Sequence, residues 1–291
     1  MRTIFFLRSY GDFIIAVYTI QFSPGNHEYR WIVSKHLEAL FASLPKNYIP
    51  PKVTIEFANF KITHGIFAGF TNRFLFSMHT VKQFMAFKKF FLTYCKTQVL
   101  TYSTNIFFLE QQKRALIFSL CIGKKMQAIC NRGNVYEQYA SFWNTPLPKQ
   151  QVHFNFHQGK SVAVLVFPGS RKKSKRFPEP IVHFLNEVNF RNGVTLNIAR
   201  FEKEYNSLTE NSIVYKNFSE LIQLIQSADF IVAADSVVAH LSLLLGKPHW
   251  IMYPDKVNED WLTPFAKASG WYCCFNEHHK LEYFLDQNIG A

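Results

Sequence analysis

Three short stretches carry residue types that can do chemistry together. In SADFIVAADSVVAHLSLLLGKPHWIMY, residues 227–253, Asp235, Ser236 and His240 fall between two apolar runs. Phe230 to Ala233 reads as a strand and Ser236 as the cap of the next helix. That arrangement aims the N–H groups of Ser236, Val237 and Val238, together with the positive helix end, at one point. Such a junction suits a phosphate, and His240 lies about one turn further on. In the plainer alternative, Asp235 and Ser236 only cap the helix and His240 is an interior histidine. In VFPGSRKKSKRFP, residues 166–178, a strand ends at Pro168-Gly169-Ser170, and Arg171, Lys172, Lys173, Lys175 and Arg176 follow. That density of cations can neutralise a diphosphate, unless the loop is simply solvated. In LRSYGDFIIA, residues 7–16, Gly11 permits a tight turn and Asp12 stands at a helix start. There a carboxylate either favours the helix terminus or acts as general base on an acceptor hydroxyl.

All three stretches sit where a strand hands over to a helix. Thr3 to Leu7 reads as a buried strand, with a helix from Phe13. NIFFLE (105–110) reads as a strand, QQKRALIFSLCIG (111–123) as a helix and KMQAIC (125–130) as a strand. After a Pro-, Gln- and Asn-rich lapse at residues 144–160, the alternation resumes. SVAVLVF, VTLNIA, DFIVAA and PHWIMY read as strands, and EPIVHFLNEVNF, SELIQLIQSA and SVVAHLSLLLG as helices. This pattern predicts an α/β protein with parallel sheets in two domains. Residues 1–155 form the first and 156–291 the second, with the last helix able to pack back on the first. Residues 22–100 resist assignment. Within them VKQFMAFKKFFLTYCK (81–96) places Phe84, Phe87 and Phe91 on one helical face and Lys82, Lys89 and Lys96 on another. That segment fits an anionic membrane surface or an acceptor groove, against the commoner role of a Phe stripe as core.

Charge separates the halves. Residues 1–150 carry 18 Lys+Arg against 6 Asp+Glu, and residues 151–291 carry 14 of each, so the whole excess of +12 lies in the first half. An anionic partner for that half follows: nucleic acid, lipid headgroups or an acidic glycan. No nucleic-acid recognition signature accompanies the charge, so nucleic acid is not the expected partner. Five scattered cysteines without zinc-like spacing suit a reducing, cytoplasmic setting. Arg8 and Asp12 interrupt the apolar start, which reads neither as a signal peptide nor as a membrane span. No Asp-x-Asp pair is present to chelate a divalent ion. The neighbours Glu277, His278 and His279 diverge on any regular element, so no metal and no cofactor is expected.

Taken in order, the three stretches resemble glycosyltransferase family 9, the ADP-heptose:lipopolysaccharide heptosyltransferases. The family's opening turn is matched by Arg8, Ser9, Gly11 and Asp12. Its Pro-Gly loop is matched by Pro168, Gly169 and Ser170, then Lys175, Arg176, Phe177 and Pro178. Its Asp-Ser/Thr helix start is matched by Asp235, Ser236, His240, Gly246 and Pro248. The resemblance implies a GT-B fold, two Rossmann-like domains with parallel sheets facing across a cleft. It also implies inverting transfer of a heptose or related sugar from a nucleotide donor, ADP-linked, to a lipopolysaccharide-core acceptor at the cytoplasmic face of the inner membrane. Asp12 is then the catalytic base and Lys175 the group that stabilises the departing diphosphate. Ser170, Arg176, Asp235, Ser236, Val237 and His240 bind the donor, as does Glu202, or less favourably Glu204. Arg8, Ser9 and Gly11 bind the acceptor. One departure stands out: the family's glycine after Asp-Ser/Thr is Val237 here, which puts a Cβ where a phosphate approaches the backbone. A catalytically silent relative that binds a nucleotide or glycan is the competing expectation.

Overall fold

The computed structural model describes residues 2–7, 9–24, 27–60, 85–86, 88–90, 92, 105–108, 126–129, 133–150, 162–170, 172–187, 194–202 and 212–289. The chain divides into two compact units, Met1–Pro146 and Leu147–Ala291.

The first unit is built on five parallel strands: β1 (Arg2–Phe6), β2 (Tyr29–Ser34), β3 (Val53–Ala58), β4 (Asn105–Phe108) and β5 (Met126–Ala128). Their order is β3-β2-β1-β4-β5. Every residue of β2 is buried, as expected for a parallel strand covered on both faces. Its buried cation, Arg30, is held by Glu56 on β3 at 2.5 Å. Helix α1 (Tyr10–Ile20) follows β1, α2 (Glu38–Ser43) follows β2, and α3 (Val135–Trp143) precedes the boundary. Asn134 caps α3 by accepting from the Tyr136 N–H at 3.0 Å, and Asn144 ends it in the left-handed region at φ 55°. The turn closes where Thr145 N–H reaches the Ala140 carbonyl at 3.0 Å, one residue before Pro146. An aromatic core joins these parts. Trp31 and Trp143 stack at 6.2 Å, Phe6 and Phe13 meet Trp31, and the Trp143 indole N–H donates to Thr19 Oγ1 at 2.9 Å.

Six parallel strands make the second unit: β6 (Val162–Phe167), β7 (Val194–Phe201), β8 (Ser212–Tyr215), β9 (Phe230–Ala234), β10 (His249–Tyr253) and β11 (Tyr272–Cys274). Helices α4 (Glu179–Glu187), α5 (Phe218–Ser227), α6 (Val237–Leu244), α7 (Pro264–Ser269) and α8 (His279–Ile289) connect and close them. The sheet order is β11-β10-β9-β6-β7-β8. The chain therefore runs outward from β6 to β8, then returns to lay β9 on the other side of β6. This reversal makes a switch point between β6 and β9, where loops diverge and a crevice opens at the carboxyl ends. Side chains alternate strictly across the sheet. Val164, Val166, Val232, Ala234, Trp250 and Met252 face one core, which Leu281, Phe284 and Leu285 of the last helix complete. That helix thus places its apolar residues in the core of its own unit.

The strands and helices expected in the second unit are present within a few residues of the expected bounds. In the first unit β2, β3 and α2 occupy part of the stretch that resisted assignment. The expected helix at 111–123 lies outside the described residues. So do Phe84, Phe87, Phe91, Lys82 and Lys96 of the amphipathic segment. Its described pieces are helical, with Met85 exposed and Phe90 stacked on Phe60 at 4.8 Å. Among the described residues, no helix is long and apolar enough to cross a membrane.

Candidate functional site

The second unit gathers its chemistry at the β6/β9 switch point. After β6 the chain passes Pro168-Gly169-Ser170 and forms a 3-10 turn at Lys173–Lys175. Phe177 returns to the sheet, its N–H donating to the Pro168 carbonyl at 3.0 Å and its ring buried against Phe275. This anchor sorts the cations of the loop. Lys172 and Lys173 point to solvent. Arg176 donates through Nε to the Ser170 carbonyl at 2.8 Å and so braces the loop itself. Lys175 turns inward and donates to Asp235 Oδ2, across 60 residues of sequence. Asp235 is 9% exposed and Lys175 25%. The Lys175 ammonium therefore keeps a path to solvent while its partner is buried, so an entering anion can compete for the cation.

Asp235 is fixed by its backbone as well, its N–H donating to the Met252 carbonyl at 3.1 Å. Ser236 caps α6, its Oγ accepting from the Val238 N–H at 3.3 Å. The expected trio of amides is thereby corrected to two, because the cap itself consumes the N–H of Val238. The half-buried Ser236 and Val237 remain at the positive helix end. Val237 is the first residue of α6, so its Cβ stands at that terminus.

His240 lies one turn into α6, is 5% exposed, and packs edge-on toward Trp261 at 6.4 Å. Burial lowers its pKa to about 4, against the opposing pull of Asp235. It is therefore a neutral imidazole at physiological pH. His249, on β10, is wholly buried between the Lys247 carbonyl at Nδ1 (2.8 Å) and the Thr263 hydroxyl at Nε2 (2.7 Å). Because the carbonyl only accepts, Nδ1 carries the proton and Nε2 accepts. Burial lowers its pKa to about 4 as well.

These two histidines set an acid limit on stability. Each has a folded pKa below its unfolded value of about 6.5, so each stabilises the neutral fold fully above that value. The contribution is lost as pH falls from about 6.5 toward 4, where the unfolded chain binds protons the native state refuses. Thermal unfolding followed from pH 7.5 to 4.5 should show a steep fall in Tm across that window, with a shallower slope in His249→Gln. A flat profile would contradict the assignment.

Glu202 follows β7 and stands exposed near Lys216 Nζ at 3.8 Å. Ser170 is buried at 7% exposure. Glu277 accepts from Lys280 Nζ at 2.5 Å and from the Cys274 N–H at 3.2 Å.

In the first unit, Ser9 and Asp12 form a reciprocal cap on α1. Ser9 Oγ accepts from the Asp12 N–H at 3.3 Å and donates to Asp12 Oδ2 at 2.7 Å. Gly11 is corrected from a turn glycine to a residue inside the first turn of α1. Beside this cap, at the end of β2, Tyr10 donates to the His36 carbonyl at 3.4 Å, and His36 Nδ1 meets Ser34 Oγ at 2.6 Å. The sequence drew no attention to Ser34 or His36, which the β1–β2 pairing brings beside Tyr10 at the start of α1. Arg8, Arg171 and Glu204 lie outside the described residues.

No protein-family profile and no curated protein matches the chain. Solved structures do. The E. coli heptosyltransferase WaaC with ADP is 13% identical over 99% of this chain and 100% of its own, with a TM-score of 0.54. The E. coli ADP-heptose lps heptosyltransferase II is 12% identical over 94% of this chain and 89% of its own, at 0.54. A glycosyl transferase family 9 structure from Veillonella parvula DSM 2008 is 11% identical over 97% of this chain and 88% of its own, at 0.55. At these identities the likeness establishes the fold: two parallel-sheet α/β units of GT-B type.

Proposed function

We propose that this chain is a family 9 glycosyltransferase that moves a heptose or related sugar from an ADP-linked donor to a lipid-linked acidic saccharide of a lipopolysaccharide core. The observation that carries the reading is the meeting of Lys175 and Asp235 at the β6/β9 switch point, beside the amino end of α6. An ammonium held by a buried carboxylate, with exposed Lys172 and Lys173 nearby, suits a diphosphate that leaves with a pair of electrons. The solved likeness that contains ADP supports adenine as the base.

In this mechanism the Asp12 carboxylate removes the proton from an acceptor hydroxyl. The oxygen attacks the anomeric carbon from the face opposite the leaving group. The bond from that carbon to the β-phosphate oxygen breaks, and configuration inverts. Lys175 neutralises the charge that develops on the diphosphate, so no metal is required of this step. Ser170, Arg176, Ser236 and Val237 shape the phosphate loop, Asp235 and His240 order it from beneath, and Glu202 lies toward the ribose. Ser9 and Gly11, together with Arg8 by its place in the sequence, are assigned to the acceptor. The +12 excess of the first half fits a phosphorylated or acidic acceptor, and a position at the cytoplasmic face of the inner membrane follows from such a substrate.

The cheapest test supplies ADP-heptose with a lipid-linked core saccharide and follows ADP release together with the anomeric configuration of the product. Release that depends on the acceptor, with inversion, is expected. Val237 favours a second reading, a silent relative, whose signature is donor binding without turnover that Asp12→Asn leaves unchanged.

A further inference from the structure

Tyr253, the last residue of β10, is 1% exposed, and among the described residues its hydroxyl has no hydrogen-bond partner. A buried phenol without a partner is destabilising, so its presence at this position calls for an explanation. The sheet tells where it sits. Met252 pairs with Ala234 across β10 and β9, and both face the core completed by α8. One residue further on, Asp235 lies in the turn just past β9, but its N–H still pairs with the Met252 carbonyl at 3.1 Å, so it stands opposite Tyr253, which the pleat turns away from that core. They stand side by side at the carboxyl ends, next to the start of α6. Burial, and then the Asp235 carboxylate, raise the pKa of the phenol, so it keeps its proton and can only be a donor toward that carboxylate.

In this structure Lys175 satisfies Asp235. The proposed function gives Lys175 a second task, neutralising the diphosphate, and it cannot serve both anions equally. A carboxylate that is 9% exposed and stripped of its cation would be costly, and the cost would weaken ligand binding. We propose that the Tyr253 hydroxyl is the donor that takes over Asp235 when a diphosphate draws Lys175 away. The unpartnered phenol is then the reserve half of a two-position switch. Tyr253 is a positioning residue in this scheme: it acts through Asp235 and touches no reacting atom.

The inference rests on the donor-site reading for its purpose, but its central contact can be tested without ligand. Lys175→Met removes the cation permanently and should bring Tyr253 onto Asp235 in the free protein. Tyr253→Phe should then lower Tm by about 4 °C in the Lys175→Met background, while leaving Tm unchanged or slightly higher in the wild-type background. Equal effects in both backgrounds would overturn the switch. A second measurement covers the case in which Lys175→Met does not fold. ADP titrated into Tyr253→Phe should bind about tenfold more weakly than into wild type, and this difference should vanish in an Asp235→Asn background. An undiminished difference there, or wild-type affinity in Tyr253→Phe, would overturn it. Wild-type protein that binds no ADP while the thermal cycle behaves as expected would sink the donor-site reading and leave the Tyr253–Asp235 contact standing.

Discussion

Asp12→Asn should reduce sugar transfer by about a thousandfold while ADP affinity stays essentially at the wild-type level. The substitution is nearly isosteric, and the asparagine oxygen can still accept from the Ser9 hydroxyl, so the reciprocal cap on α1 survives. What disappears is the ability to take a proton from the acceptor hydroxyl. The loss of a negative charge at the helix start costs about 0.3–1 kcal/mol, too little to unfold the unit. The pattern of expected results is diagnostic: turnover collapses, Tm moves slightly and the nucleotide still binds. If turnover persists within about tenfold, Asp12 is a capping residue only and the base lies elsewhere.

Lys175→Met carries the second large effect, and it acts on two properties at once. Turnover should fall about a hundredfold or more, because a charge placed for the departing diphosphate is gone. Stability should fall as well, since Asp235 is left buried with no counter-cation. Breaking a fully buried pair costs about 3–5 kcal/mol, but the partial exposure of Lys175 brings the expectation nearer 1–2 kcal/mol. The two effects separate in the double variant Lys175→Met/Asp235→Leu. An apolar pair of similar size should recover the stability and none of the activity. Urea unfolding and steady-state transfer measured on the wild type and both variants decide this, and recovery of activity in the double variant would contradict the role given to Lys175.

Much of the second unit was legible because its strands are short apolar runs punctuated by Gly, Pro, Asp and Ser. The runs β6, β9 and β10 with their following turns carry that pattern. The first unit hides its strands. In β2 the sequence YRWIVS includes a charged residue whose burial depends on Glu56 of β3, a pairing visible only once the register is known. β11 is three residues long and offers no periodicity to read. The site followed the same division. Asp12, Lys175, Asp235 and Ser236 stood out as polar residues at strand ends, yet the ion pair that joins Lys175 to Asp235 depends on β9 returning beside β6. The consumption of the Val238 amide by Ser236 is a matter of cap geometry, and the sequence names the cap without saying which N–H it takes. Tyr253 passed unnoticed because an aromatic residue inside HWIMY reads as core. Its meaning comes from the hydroxyl, which the pleat places on the side of Asp235.

The donor site at the β6/β9 switch point is the claim on which the rest depends, and nucleotide titration tests it most directly. ADP, UDP and GDP would each be titrated calorimetrically into the wild-type chain and into Ser236→Asp, which sets a negative charge at the amino end of α6 where a phosphate is expected. The account predicts that ADP binds the wild type and that Ser236→Asp abolishes the binding with the fold intact. Binding by none of the three, or ADP binding that Ser236→Asp leaves unchanged, would contradict it.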